Sequence, residues 1–181
     1  VVNGSFRPTL NVKNIKMRFR LLNGSNAAVF LFTLSDDSEY HQIASDGGFL
    51  QKPVKMKKLQ LSSGERGEII VDFSKYAVGT NIKLQLLSSR GKRYDLMTFK
   101  VDEKAKDKTE IPKKLVTINR IPESSADKTR TFVMETMTGM GRRGGMGMGM
   151  MRGGKRLAIN NKKMDMKRID EKIKLGSTEL W

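Results

Sequence analysis

Residues 16–34 read KMRFRLLNGSNAAVFLFTL, and this stretch decides the fold class. Met17, Phe19 and Leu21 alternate with basic side chains, which is the two-residue period of a half-buried β-strand. The turn dipeptide Asn23-Gly24 follows, and residues 27–34 then form a continuous apolar run. We therefore expect two successive strands, joined by a short loop.

Short apolar or alternating segments recur along the chain up to about residue 111. Turn signals such as Ser35-Asp36-Asp37 and Asp46-Gly47-Gly48 separate them. The further predicted strands cover residues 40–44, 59–61, 69–73, 82–86 and 94–101. No convincing helical pattern interrupts this series, so residues 1–111 are predicted to form an all-β, antiparallel sandwich with Greek-key connections.

The composition changes beyond residue 111. Residues 112–128 are charged and contain two prolines, so we interpret them as a linker. Strand-like segments follow at 130–135 and 155–160, on either side of a methionine- and glycine-rich stretch at 134–154. Residues 129–181 are therefore predicted to be the incomplete start of another β-domain. Because the chain begins without an initiator methionine, we expect it to be part of a longer protein.

Seven methionines lie within the eighteen residues METMTGMGRRGGMGMGMM, at positions 134–151. Glycine separates most of them, which is not the composition of a packed core, and a ligand-free linker is the plainer interpretation. Thioether sulfur is, however, a soft donor that selects Cu(I) over harder divalent ions. The candidate ligands for Cu(I) are Met134, Met137, Met140, Met146, Met148, Met150 and Met151. The first three have the spacing that a short helix would place on one face.

Two residue counts limit the chemistry that this chain can support. Cysteine is absent, and His41 is the single histidine. A blue-copper centre needs two histidines and a cysteine, and a Ser-His-Asp triad would have to use His41, which we expect to be structural. No apolar run approaches the length of a membrane span, since the longest covers only residues 27–32.

The formal net charge of +16 allows an anionic partner. Nucleic-acid-binding β-domains combine such charge with exposed aromatic side chains on which bases stack. Here the aromatic residues of the strands fall in apolar faces or runs, and the basic residues are scattered along the chain. We therefore expect no nucleic-acid partner, and a basic nucleic-acid-binding β-domain is the least favoured alternative.

Several stretches resemble the three-domain multicopper oxidases of the bacterial laccase and cuprous-oxidase type. They are RFRLLNGSNA at 18–27, QIASDGGFL at 42–50, LSSGERGEIIVDFS at 61–74 and LAINNKKMDMKRIDEKIKLGSTELW at 157–181. The resemblance runs through most of the chain in the order of the family. One departure is Ala28, where many members of the family have arginine.

The resemblance implies a cupredoxin-like Greek-key sandwich at 1–111, corresponding to the copper-free middle domain. Residues 129–181 then correspond to a partial hairpin of the third cupredoxin domain. The type 1 and trinuclear copper centres of the parent would lie outside this chain, since its His-X-His and His-Cys-His motifs are absent here. The parent is expected to be an extracytoplasmic enzyme, although a cytoplasmic one is not ruled out by sequence, whereas the isolated chain is not expected to be an enzyme.

The methionine-rich stretch lies where cuprous oxidases of this family carry an insert over the substrate copper. The implied role is docking of Cu(I) for oxidation by a parent that also acts on phenols or similar reductants, reduces O2 to water and serves copper tolerance. Its expected partners are the remaining first and third cupredoxin domains. A freestanding, redox-inactive Cu(I)-binding module is the main alternative.

Overall fold

The alternating segments of the sequence form β-strands in the computed structural model, which describes residues 1–137 and 156–181. The chain divides into two units, Val1–Ile118 and Asn119–Trp181, hereafter unit 1 and unit 2. The division falls within the predicted linker, residues 112–128. Within the described ranges, no helix has the length and hydropathy that crossing a bilayer requires.

Unit 1 contains nine strands in two sheets. In chain order the strands are β1 (Thr9–Lys13), β2 (Lys16–Leu22), β3 (Phe30–Leu34), β4 (Tyr40–Ser45), β5 (Gly48–Met56), β6 (Leu59–Leu61), β7 (Arg66–Asp72), β8 (Asn81–Leu87) and β9 (Arg93–Glu103). One sheet has the order β1-β9-β8-β3-β6, and the other has the order β2-β7-β4-β5. The chain passes from one sheet to the other between β2 and β3, as expected for a sandwich.

The core of unit 1 forms where the apolar faces of both sheets meet. On β7, Ile69 and Val71 are buried while the residues between them are not, and this alternation matches that of the neighbouring strand β2. Phe73, which follows β7, is completely buried and packs against Phe99 of β9 with ring centroids 5.3 Å apart. The two-residue period at Met17, Phe19 and Leu21 therefore correctly predicted the face of β2 that packs against this core.

Two strands of unit 1 were not predicted, and one was predicted too long. β5 contains Pro53 and is almost entirely half-buried or exposed, because it is an edge strand with a single neighbour, β4. β1 has only one buried residue, Val12, and it pairs with β9 in parallel rather than antiparallel orientation. The second predicted strand, residues 27–34, starts only at Phe30, since Ala27 and Ala28 belong to the exposed loop before it.

Unit 2 consists of short strands around loops. They are β10 (Lys128–Thr129), β11 (Met134–Met137), β12 (Arg156–Ile159), β13 (Lys162–Lys163) and β14 (Glu179–Leu180), and a 3-10 turn at Glu123–Ser125 precedes them. β11, β12 and β13 form an antiparallel sheet, while β10 and β14 pair in parallel. The hairpin predicted around the methionine-rich stretch is thus confirmed for its two flanking strands.

Candidate functional site

The methionine-rich stretch is inserted between two paired strands. Met134 is in register with Ile159, and Met137 is in register with Arg156, so β11 and β12 pair along their whole length. The two strands that flank the stretch in the chain are therefore direct neighbours in one sheet. The remaining predicted ligands lie outside the described residues, namely Met140, Met146, Met148, Met150 and Met151.

The short helix that the spacing of the first methionines would allow does not form where the structure describes them. Residues 134–137 form strand β11 rather than a helix. Only a helix brings positions i, i+3 and i+6 to one face, whereas a strand alternates its faces every residue. The local structure of this segment follows from its pairing with β12, and it is independent of the spacing of the methionines.

An apolar groove of about 660 Å³ lies against the sheet of unit 2. Met134 and Met164 line it, and both side chains are 85% exposed. Leu157 and Ile159 line the groove from β12, and they are exposed while Ala158 between them is buried. One face of this small sheet is therefore covered and the other is open and apolar. Two methionines thus line this groove, and one of them, Met164, was not among the predicted ligands.

Asp170, an acidic residue that lines the groove, is already paired with basic side chains. Asp170 accepts a hydrogen bond from Arg168 Nε at 2.7 Å, and Lys162 Nζ lies 3.4 Å from the same carboxyl group. The hydrogen bond from Arg168, with help from Lys162, keeps the pKa of Asp170 below its ordinary value. Across residues 1–137 and 156–181, no group of three or more His, Cys, Asp or Glu side chains is placed to hold a metal ion.

Asn160 lies in the turn between β12 and β13 and fixes its shape, a role that was not predicted from the sequence. Asn160 and Asn161 both have positive φ (49° and 62°), the conformation of a two-residue turn between antiparallel strands. The Asn160 amide accepts a hydrogen bond from Val133 N–H at 2.7 Å and donates one to the Thr131 carbonyl at 3.0 Å. The two adjacent asparagines are the sequence signal from which this turn could have been predicted.

A charged clamp centred on Arg130 closes unit 2 at its other end. Its guanidinium donates to both carboxylate oxygens of Glu179, at 2.6 and 3.0 Å, and also pairs with Glu171. The indole of Trp181 donates to Glu179 at 2.9 Å and its ring packs on Phe132. Arg130 and then Trp181 lower the pKa of Glu179 from 4.5 to about 2. These contacts give Glu179 and Trp181 a structural role.

The motifs of unit 1 also carry structural contacts. Asn23 is completely buried, and its amide donates to the carbonyls of Ala28 at 2.7 Å and Leu61 at 2.9 Å. Its backbone carbonyl accepts from Gly64 N–H at 2.9 Å and its N–H donates to the Glu65 carbonyl at 3.1 Å. The hydrogen bonds of Asn23 therefore join the segments 18–27 and 61–74.

Several charged and turn residues of unit 1 make structural contacts. Arg66 Nε donates to Asp46 at 2.6 Å, and Glu65 accepts from Ser62 N–H at 2.5 Å. Gly48 has φ +117°, so β5 begins with a backbone conformation that favours glycine. His41 lies within β4, in register with Ile70 and Lys55 of its two neighbours.

Comparison with known proteins identifies the family. The chain is 33% identical over its whole length to a multicopper oxidase of Staphylococcus haemolyticus, and 30% identical to a laccase of Bacillus subtilis. The chain belongs to the multicopper oxidase family. It spans about one third of the length of these relatives, 33% and 34%. No protein-family model matches it.

A solved relative extends the comparison to three dimensions. The structure of a laccase-like multicopper oxidase from Ochrobactrum sp. superposes with a TM-score of 0.72 and 33% identity, covering 94% of this chain and 38% of that one. The predicted all-β, cupredoxin-like fold of this multicopper oxidase chain is thereby confirmed. Copper is the metal of the family, but one histidine and no cysteine do not fit a type 1 or trinuclear centre.

Proposed function

We propose that this chain is the copper-free middle domain and the opening of the third domain of a multicopper oxidase. The complete enzyme would couple one-electron oxidation of Cu(I), phenols or similar reductants to four-electron reduction of O2 to water, and would serve copper tolerance. The observation that carries the proposal is the donor count of the sequence. A chain that matches oxidases over its full length has one histidine and no cysteine, so its contribution lies in support and substrate docking.

The contacts of unit 1 support the spacer role. Its polar motifs are used to join loops and strands, as with Asn23 beneath the loop 24–28 and Arg66 on Asp46. Glu68 is likewise shared by Arg18 Nε at 2.6 Å and Arg20 Nε at 3.3 Å on the adjacent strand. A sandwich with its own apolar core and internally paired charges is suited to hold two neighbouring domains at a fixed separation.

Substrate docking is assigned to the methionine-rich stretch. Thioether sulfur has no proton to lose, so it binds Cu(I) without competition from H+. The paired ends at Met137 and Arg156 keep this long insertion attached to a single hairpin. Arg142, Arg143 and Arg152 add positive charge to the stretch, which favours Met134, the methionine farthest from them at its start, as a ligand for a cation.

The open face of the small sheet in unit 2 supports the incomplete-domain part of the proposal. Leu157 is 76% exposed and Ile159 is 52% exposed, although both sit on a central strand. Exposed apolar faces of this kind mark surfaces that another element covers. In the complete oxidase, the rest of the third domain would pack on this face and extend the hairpin into a sandwich.

Competition against a cuprous chelator tests the docking role. The purified chain is expected to withdraw Cu(I) from the chelator equally well at mildly acidic and neutral pH. Replacing the seven methionines of residues 134–151 by leucine should abolish this competition, because leucine keeps the apolar volume and removes the sulfur. Met17→Leu with Met97→Leu is the matched control, since both lie against the core of unit 1. Equal affinity in both variants would contradict the docking role.

Spectroscopy and the full gene test the remaining parts. The chain with added copper is expected to show no intense blue absorbance band and no O2 uptake with Cu(I) or a phenol. A blue band would contradict the copper-free assignment. The complete gene is expected to encode His-X-His pairs before this stretch and a His-Cys-His after it. Cu(I) binding without those flanking motifs would instead support a freestanding binding module.

A further inference from the structure

Six exposed lysines lie on two neighbouring segments at the β5 edge of unit 1. Four belong to β5 and the turn after it, and two to the segment that follows β9. The basic strip consists of Lys52, Lys55, Lys57, Lys58, Lys113 and Lys114, and all six residues are exposed.

Backbone contacts place these two segments side by side. Leu115 N–H donates to the Gln51 carbonyl at 2.9 Å, and the Gln51 amide donates to the Ile118 carbonyl at 3.3 Å. The residue 113–118 segment therefore runs next to β5, which is the edge strand of its sheet. The Thr33 hydroxyl donates to the Lys57 carbonyl at 3.1 Å, and this hydrogen bond fixes the turn after β5. The basic strip is a fixed surface of the sandwich, formed by residues 60 positions apart in the chain.

Little negative charge compensates the basic strip. Lys55 Nζ lies 2.6 Å from Glu39, and this contact keeps the pKa of the Glu39 carboxyl below its ordinary value. The other five lysines of the strip form no ion pair with any residue that the structure describes. The strip thus retains a local positive charge within a chain whose net charge is +16.

Apolar side chains are exposed among the lysines. Val54 is 41% exposed on β5, and Val116 and Ile118 are 37% and 47% exposed on the neighbouring segment. Lysines on an edge strand also prevent unwanted strand pairing, which accounts for Lys52 and Lys55 together with Pro53. That purpose does not require Lys57, Lys58 and the two lysines after β9, nor the exposed apolar side chains between them.

We propose that the basic strip docks this protein on the anionic headgroups of a lipid bilayer. Clustered lysines are attracted to anionic lipids with about 1 kcal/mol each, that is about fivefold in binding per lysine. The interleaved valine and isoleucine side chains suit the apolar boundary beneath the headgroups. A nucleic acid is the less suitable partner, because the strip has no arginine for bidentate contacts and the exposed aromatic ring of β5, Phe49, already has Arg18 Cζ 5.3 Å from its centroid.

Vesicle flotation with the complete 181-residue chain tests the proposal. The chain is expected to float with phosphatidylcholine vesicles that contain phosphatidylglycerol, and not with phosphatidylcholine alone. About 1 M salt should release it, since the screening length then falls to about 3 Å. The variant Lys57→Gln with Lys58→Gln should bind about thirtyfold more weakly, from about fivefold for each lysine.

The matched control removes the same charge from the other sheet. Lys92 and Lys100 are exposed and lie in the turn before β9 and on β9. Lys92→Gln with Lys100→Gln is expected to retain most of the vesicle binding. Equal losses in both variants would overturn the proposal, because net charge and not the strip would then drive binding. Tighter binding to RNA than to the anionic vesicles, or a strip variant that self-associates while vesicle binding is unchanged, would overturn it as well.

Discussion

The two units of this chain are stabilised in different ways. Unit 1 contains all but one of the apolar residues that are buried in the described ranges, whereas unit 2 contributes only Ala158. Unit 2 is closed instead by hydrogen-bonded charges around Arg130 and by the turn at Asn160. The difference shows that unit 1 meets the requirements of a free-standing sandwich, while unit 2 has contacts that define a shape but little apolar burial to stabilise it.

The largest expected effect comes from the core of unit 1. Phe73 is completely buried and packs on Phe19, Tyr76 and Phe99. Phe73→Ala is expected to lower the free energy of unfolding of unit 1 by about 3–5 kcal/mol, because it removes apolar contacts and leaves a cavity. Urea denaturation followed by circular dichroism measures this loss. Phe6→Ala, at a side chain that is 75% exposed, should change it by less than about 0.5 kcal/mol.

A smaller effect is expected at Asn23, the buried polar residue of the same unit. Asn23→Ala removes the side-chain donor to the Leu61 carbonyl, at a cost of about 1–3 kcal/mol, while the Ala28 carbonyl keeps the hydrogen bond from Ser25 Oγ at 2.9 Å. The same denaturation experiment measures the loss. Asn26 in the same loop is exposed and provides the matched control as Asn26→Ala. Equal stability of the two variants would show that loop burial, and not the amide, joins these segments.

The next prediction separates the two units. Arg130→Ala should abolish the unfolding transition of unit 2 and leave that of unit 1 in place, because the clamp on Glu171 and Glu179 is lost. Trp181 is the single tryptophan, so its fluorescence reports unit 2 while circular dichroism mainly reports the nine strands of unit 1. Lys174→Ala, at an exposed position, is the control. A simultaneous loss of both transitions would show that the units unfold as one.

The smallest effect is a pH dependence of unit 2. The pKa of Glu179 is about 2 in the folded protein against an ordinary value of 4.5. A depressed carboxyl pKa stabilises the fold fully above 4.5, and this contribution is lost as the pH falls from 4.5 towards 2. The Trp181 transition should therefore shift to lower urea concentration across this range. A fluorescence transition that stays constant between these pH values would contradict the proposed role of the clamp.

Several elements could be predicted because their signals are local. The alternation of β2 and the apolar segments of β7 and β8 correctly indicated strands, since each has one face in the core. β5 carries no such signal, because an edge strand with Pro53 has little apolar surface to repeat. The spacing of Met134 and Met137 is compatible with a short helix, but this segment pairs with β12 as a strand. Pairing depends on a partner about 20 residues away, which a local pattern does not contain.

The sequence by itself determined that this chain is an all-β protein and that it lacks the ligands for a copper centre, because periodicity and donor counts are properties of the chain alone. Only the tertiary structure decided that Asn23 and Arg130 are structural clamps, and that lysines from β5 and from residues 113–114 form one surface. Those roles depend on which distant segments come into contact. Contacts of that kind are fixed by packing and strand register, which no single segment specifies.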